Sequence, residues 1–317
     1  MDEPHFAAIH SLIRRDLGPA EPVKAVRAHI HDKMSPDEAF RVTLSDCLAQ
    51  MTANAASVRA GRSVEGLHQL RVGFRRLEVA LQAFGKEFGT SWLEELRGRA
   101  KVLSNRFGPA RDLDVFVEER LKAAAEAAEG ETLAALKTRA EMAREADWKK
   151  AQAAVTSVEF AQFLEDVAGL STSRLPLSQE RSLSKVAENI LQRQYKRAVK
   201  RGRDARSLEQ RDLHRLRIAV KKLRYTTEFF APLYGDKKIK RYLSTVRRLQ
   251  DRLGELNDIA HVRATVAGLV RDGAKKDGDL RFGAGLVAGW YEARRPLLAK
   301  KALKRWRKVK ALKRFWK

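Results

Sequence analysis

His68, Arg71 and Arg75 recur at intervals of three and four residues, and so do His214, Arg217 and Lys221. Such intervals return to one side of an α-helix, so each set forms a line of one imidazole and two cations. The chemistry this line can perform is anion capture. A guanidinium fork holds two oxygens of a phosphate or carboxylate at once, and an imidazole gains a proton beside a negative charge. Neither line carries an interspersed acid of the kind that neutralises an ordinary solvated face. Crowded like charges cost stability, so a bound anion is expected to offset them. Arg224 stands at the margin of the second line. The helix that follows each set adds Lys101 and Arg106 in the first case, and Arg247 and Arg252 in the second.

Other chemistry fits poorly. His68 and His214 have no histidine at i+4, no cysteine and no carboxylate at ligand spacing, so neither a metal nor another cofactor is expected. A histidine flanked by leucines serves as often as a buried structural residue. Phosphoryl transfer needs carboxylates for Mg²⁺ or a glycine-rich phosphate loop, and the basic lines hold neither.

Each line must be held by a rigid helix. Leu67, Leu70, Phe74, Leu77, Leu81 and Phe84 form the apolar stripe behind the first, and Leu213, Leu216, Val220, Leu223 and Phe230 the stripe behind the second. The two sets lie 146 residues apart. The same offset pairs Phe84 with Phe230, Gly89 with Gly235, Lys101 with Arg247, Arg106 with Arg252 and Asp112 with Asp258. One offset held from Leu67 to Asp112 without a gap is an internal repeat. Almost no window alternates at period two, so the expectation is an all-α fold of two pseudo-symmetric four-helix bundles.

The expected organisation is a leader over 1–34, a first bundle over 35–170, a linker over 171–178 and a second bundle over 179–317. Within the leader, one short helix is expected around Pro4 to Asp16. Ser35, Pro36 and Glu38 together mark a helix start. Gly85 and Gly89 punctuate the first motif helix, and Gly108-Pro109 ends the next. Gly254 is expected to end its counterpart in the second half, with Asp112 and Asp258 opening new helices as N-terminal caps, or orienting an arginine.

The totals agree. A chain of 317 residues with 44% hydrophobic content can build a core, and its net charge of +24 attracts polyanions such as nucleic acid, anionic lipid or polymeric phosphate. One cysteine, no signal-peptide run and no span-length apolar window point to a soluble intracellular protein. The second half is the more basic: between Arg193 and Arg224 there are 13 Lys or Arg against three acids. From Arg294 to Lys317 there are 12 basic residues and no acid, with Leu303, Trp306, Val309, Leu312 and Trp316 on one stripe. Alone, this reads as a membrane-surface or calmodulin-target helix. As the last helix of a bundle that otherwise lacks one, it docks by that stripe, which is the reading adopted.

The paired His-x-x-Arg-(Val/Ile)-x-x-(Arg/Lys)-(Arg/Lys)-Leu helices resemble the CHAD family, the conserved-histidine α-helical domain. So do Leu-Ser-Asn-Arg-Phe-Gly-Pro-Ala-Arg-Asp-Leu-Asp-Val from Leu103 to Val115 and its counterpart from Leu249 to Ile259, and the basic terminus ending in Phe315-Trp316. The resemblance spans about Ser35 to Lys317. It implies two four-helix bundles around a basic groove or pore, binding of inorganic polyphosphate, and a cytoplasmic location on polyphosphate granules, alongside granule-associated proteins. Some members carry a triphosphate-tunnel domain; none fits in the 34 residues before Ser35, so a stand-alone copy is expected. Carried over by position, the binding residues are His68, Arg71, Arg75, Arg76, Lys101 and Arg106 in the first half. In the second they are His214, Arg217, Lys221, Lys222, Arg224, Arg247 and Arg252. One position departs: Glu78 stands where Arg224 stands in the second repeat, which weakens the first face at its edge. Two other functions compete. A nucleic-acid binder would share the charge, but the basic stripes carry few aromatics for stacking. An enzyme acting on polyphosphate would need the missing metal carboxylates.

Overall fold

The computed structural model describes residues 21–26, 29–128, 132–175, 181–271 and 277–316. Among them every regular element is a helix, with no strand. The first helix, α1 (Pro36–Ala60), starts where the sequence says. Ser35 accepts from the Glu38 amide, and Glu38 accepts in return from the Ser35 amide. Such reciprocal capping satisfies two amides that have no partner in the helix. Then α2 (Val64–Phe88) carries the first motif. Gly85 does not stop it; Gly89 does, in the left-handed conformation that glycine adopts without strain.

Next come α3 (Trp92–Arg106) and α4 (Gly108–Val115), which runs through a π-helical turn (Phe116–Leu121) into the short α5 (Lys122–Ala125). After these follow α6 (Ala134–Val155) and α7 (Val158–Thr172), so helix continues two residues into the expected linker. In the second half are α8 (Leu183–Asp204), α9 (Gln210–Phe230) with the second motif, α10 (Asp236–Arg271), α11 (Gly278–Glu292) and α12 (Arg295–Ala311). The helix expected between Pro4 and Asp16 lies outside the described residues.

Gly254 does not end its helix. α10 passes through it for 36 residues, whereas the aligned segment of the first half breaks at Phe107. Proline makes the difference. Pro109 follows Gly108 and cannot donate the helical hydrogen bond, while Glu255 follows Gly254, and a lone glycine costs a helix only about 1 kcal/mol. The capping role expected for the paired aspartates therefore falls. Asp258 is inside α10, and Asp112 lies past the first turn of α4.

Helices α1, α2, α3 and α7 pack as one bundle, and α8, α9, the first part of α10 and α12 as another. The two motif helices, α2 and α9, pack on each other. Phe84 and Phe230, equivalent in the two repeats, meet there with ring centroids 5.4 Å apart. A residue touches its own symmetry mate only near a twofold axis, so the pseudo-twofold of the repeat runs between α2 and α9. A single apolar core extends from Ile30 to Trp316 through both bundles.

A second core does not follow the division of the sequence. Leu113, Phe116, Leu133 and Leu136 from the first half pack with Ile259, Val262, Val266, Leu280 and Val287 from the second. Helices α4 and α6 of the first half and α10 and α11 of the second thus share one apolar core. Asp114 is fully buried here, accepting from Arg144 Nε (2.7 Å) and Trp148 Nε1 (2.9 Å), which locks α4 to α6.

Candidate anion-binding site

Between α2, α9 and α10 lies a cavity of about 810 Å³. Of the thirteen candidate residues it gathers seven: His68, Arg75, Arg76, Arg217, Lys221, Arg224 and Arg247. The motif helices deliver them because their apolar stripes are anchored. Leu70, Phe74, Leu77, Leu216, Val220 and Leu223 are fully buried, so the opposite rows turn into the gap. Burial, then Arg75, Arg217, Arg224 and Arg71 in that order, push the Lys221 ammonium down to about 6. Burial, then Arg75, lower Arg217 as well, although Asp258 and Asp112 oppose the shift. Among the described residues, Arg75, Arg217 and Lys221 make no side-chain hydrogen bond or ion pair. Arg224 and Arg247 are steadied at the rim by one carboxylate, Glu228, at 2.9 Å each. Gln250 adds a 2.7 Å bond to Arg224.

Arg76 is the most enclosed of the set, at 5% exposure, and donates to Gln50 Oε1 at 2.9 Å. It is part of the wall as much as of the site. Arg71 stands behind the cavity, donating to the Ser104 carbonyl at 3.0 Å, and burial pushes it down to about 10. Gly108 makes that reach possible: a Cβ there would come within 3.1 Å of Arg71 Nη1. His68 is half-buried, its pKa lowered by burial first and then by Arg111, Arg75 and Arg71 against the pull of Glu65.

The other candidates go elsewhere. His214 lines a separate cavity of about 460 Å³, with Nδ1 2.9 Å from Asn257 Oδ1. Lys222 turns toward Arg97, Arg197 and Glu78, and burial is the main cause of its lowered pKa. Lys101 is exposed on that same side. Arg106 is paired with Glu159 at 2.6 Å, and Arg252 with Glu255 at 2.6 Å. The strict symmetry of the sequence repeat is thus not carried into the site. Glu78, at the position of Arg224, marks one difference. Its half-buried carboxylate sits among Arg75, Lys101, Lys222 and Arg97, with burial raising its pKa against them.

Sequence reasoning missed one wall. Lys24, Ala25 and Val26 of the leader line the cavity. The Val23 amide donates to Asn54 Oδ1 at 3.0 Å, the Asn54 amide returns a 2.8 Å bond to the Val23 carbonyl, and Ile30 is buried in the core. The leader shows no periodicity, so nothing local marked it as part of the site. Glu228 was more legible, being four residues after Arg224 on a helix. Asp258 has the second of its two possible roles: it holds Arg120 at 2.6 Å, beside Arg217.

The cavity is thus a cationic recess on rigid helices, and among the described residues no ring lining it is exposed for stacking. Tyr225, its nearest aromatic, is buried with the Arg224 guanidinium 4.3 Å from its centroid. A family model described as CHAD domain matches residues 43–267. The crystal structure of the CHAD domain from the plant Ricinus communis superposes with a TM-score of 0.81 at 26% identity, covering 92% of this chain and 97% of that one. PptA from Streptomyces chartreusis superposes with a TM-score of 0.63 at 16% identity, over 87% of this chain and 98% of that one, a likeness of fold. No curated protein matches the chain.

Proposed function

The chain belongs to the CHAD domain family, and from that premise we propose that it binds inorganic polyphosphate in the cavity between α2 and α9. One observation carries the reading: Arg75, Arg217 and Lys221 share that recess without a pairing carboxylate among the described residues. Cations buried together repel, so the recess holds its full charge favourably when an anion of matching charge density is bound. Polyphosphate has about one charge per phosphate and no base. A rack of guanidinium and ammonium groups without aromatic platforms therefore suits it better than it suits nucleic acid. The proposed activity is binding without turnover. Association with polyphosphate granules follows if the bound chain is part of a larger mass of polymer.

The direct test measures polyphosphate affinity at two salt concentrations for the wild type and for the double variant Arg75→Glu, Lys221→Glu. The wild type is expected to lose affinity steeply with salt as counterions are recaptured, and the variant to bind at least about a hundredfold more weakly with a shallower slope. Equal affinity in the two proteins would remove the cavity from the reading. Displacement by long DNA at equal phosphate concentration would favour a nucleic-acid binder. Orthophosphate released in the presence of Mg²⁺ or Mn²⁺ would make it an enzyme.

A further inference from the structure

A second basic groove lies on the outside of the second bundle, where α12 packs on α8. It encloses about 310 Å³, and Arg203, Arg206, Arg307 and Lys310 line it over a floor that includes Trp306. It shares no lining residue with the central cavity. Gly202 sets its depth. A Cβ at that position would meet the indole nitrogen of Trp306 at 2.1 Å, so the ring lies directly on the α8 backbone and is only 5% exposed. Among the described residues the four cations make no ion pair.

The fold does not require those charges. α7 closes the first bundle with three acids and no cation, while α12 has eight cations and no acid in the matching place. The two acids of α8 are taken up on their own helix, Glu188 by Lys185 at 2.9 Å and Asp204 by Arg201 at 3.2 Å. What remains is a groove whose charged lining residues are all cations, from α8 and the turn after it on one side and from α12 on the other. We infer that this groove is a second docking surface for inorganic phosphate chains, so that one molecule holds two chains, or two stretches of one chain, and links them. The inference rests on the reading of the central cavity as a polyphosphate site, but it uses different residues.

Other polyanions match the groove less well. Insertion into a lipid surface needs a free apolar face. The stripe of α12 is already packed, with Ala299, Ala302, Trp306 and Val309 buried and Leu297 its one large exposed apolar side chain. Bases need a ring to stack on, and Trp306 and Trp316 are both buried.

The test titrates a polyphosphate chain too short to reach both sites into the wild type, into Arg203→Glu, Arg307→Glu, and into Arg75→Glu, Lys221→Glu. Both positions of the groove variant are exposed, and circular dichroism checks that its fold is kept. The wild type is expected to bind a second chain in a distinct step, which the groove variant weakens on the order of a hundredfold while its first step is unchanged. Long chains are expected to cross-link the wild type, seen as light scattering, and not the groove variant. A wild type that takes a single short chain, or a groove variant that keeps both steps, overturns the inference. So does a groove variant that loses affinity for phosphatidylserine vesicles but not for polyphosphate. Retention of one step by the central variant, lost on adding the groove substitutions, supports the groove. If instead the central substitutions leave both steps unchanged and the groove substitutions remove only the second, the groove stands and the cavity reading fails.

Discussion

Lys221 and Arg75 hold equivalent places in the two repeats, and the pseudo-twofold axis brings them together in one recess. The consequence is a lysine whose charge is conditional. The unfolded chain keeps the Lys221 proton to about 10.5, and the folded protein gives it up at about 6. Between those values the unfolded state binds more protons, so the stability of the unliganded protein rises with pH across that window and is least below 6. A bound polyanion reverses the preference and draws the proton back. Binding above pH 6 is therefore expected to take up about one proton, with affinity falling as pH rises toward 8. Calorimetry in buffers of different ionisation enthalpy measures the uptake. Lys221→Met should abolish that portion of it, and undiminished uptake in this variant would exclude Lys221 as the source. His68 adds to the slope in the same direction, since its pKa is also lowered.

Among the elements, the contrast between Gly108 and Gly254 shows how one repeated residue acquires two roles. A Cβ on Gly254 would meet nothing within 4 Å, and the residue lies within the continuous helix α10. Gly254→Ala is expected to stabilise the protein by about 0.5–1 kcal/mol, read as a rise in melting temperature. At Gly108 the same change presses on the Arg71 guanidinium, 3.1 Å away, and disturbs its bond to the Ser104 carbonyl. Gly108→Ala should then lower stability by about 1 kcal/mol or more, as expected for overpacking beside a partly buried hydrogen bond. Equal effects at the two sites would show that the repeat keeps its symmetry here. The glycine pair was visible in the sequence. Which glycine makes room for an arginine was not, because that depends on how closely α4 approaches α2.

For the whole molecule, two cores shared between the repeats make the halves interdependent. Phe84 packs on Phe230, and the core of α4 to α6 is completed by α10 and α11. The isolated segment 35–172 would expose both surfaces. It is expected to keep helical circular dichroism but to bind a hydrophobic dye and to lose cooperative unfolding, whereas the full chain unfolds in one transition. A sharply melting half would contradict this. No described helix is long and apolar enough to cross a membrane, which agrees with a chain whose apolar residues are spent on these two cores.

The sequence by itself determined the all-α class, the repeat and the identity of the basic rows. Helical periodicity, capping residues and a constant offset are local or one-dimensional signals, and they survive without knowledge of packing. Tertiary structure decided which cations share a cavity. Seven of the thirteen candidates converge, while Arg106 and Arg252 are neutralised by Glu159 and Glu255 and His214 turns to Asn257. It also brought in Lys24 and Val26 from a leader without pattern, and joined Leu113 to Ile259 in a core that neither half contains alone. Electrostatic neutralisation and burial depend on distances through space, and a sequence offset fixes none of those.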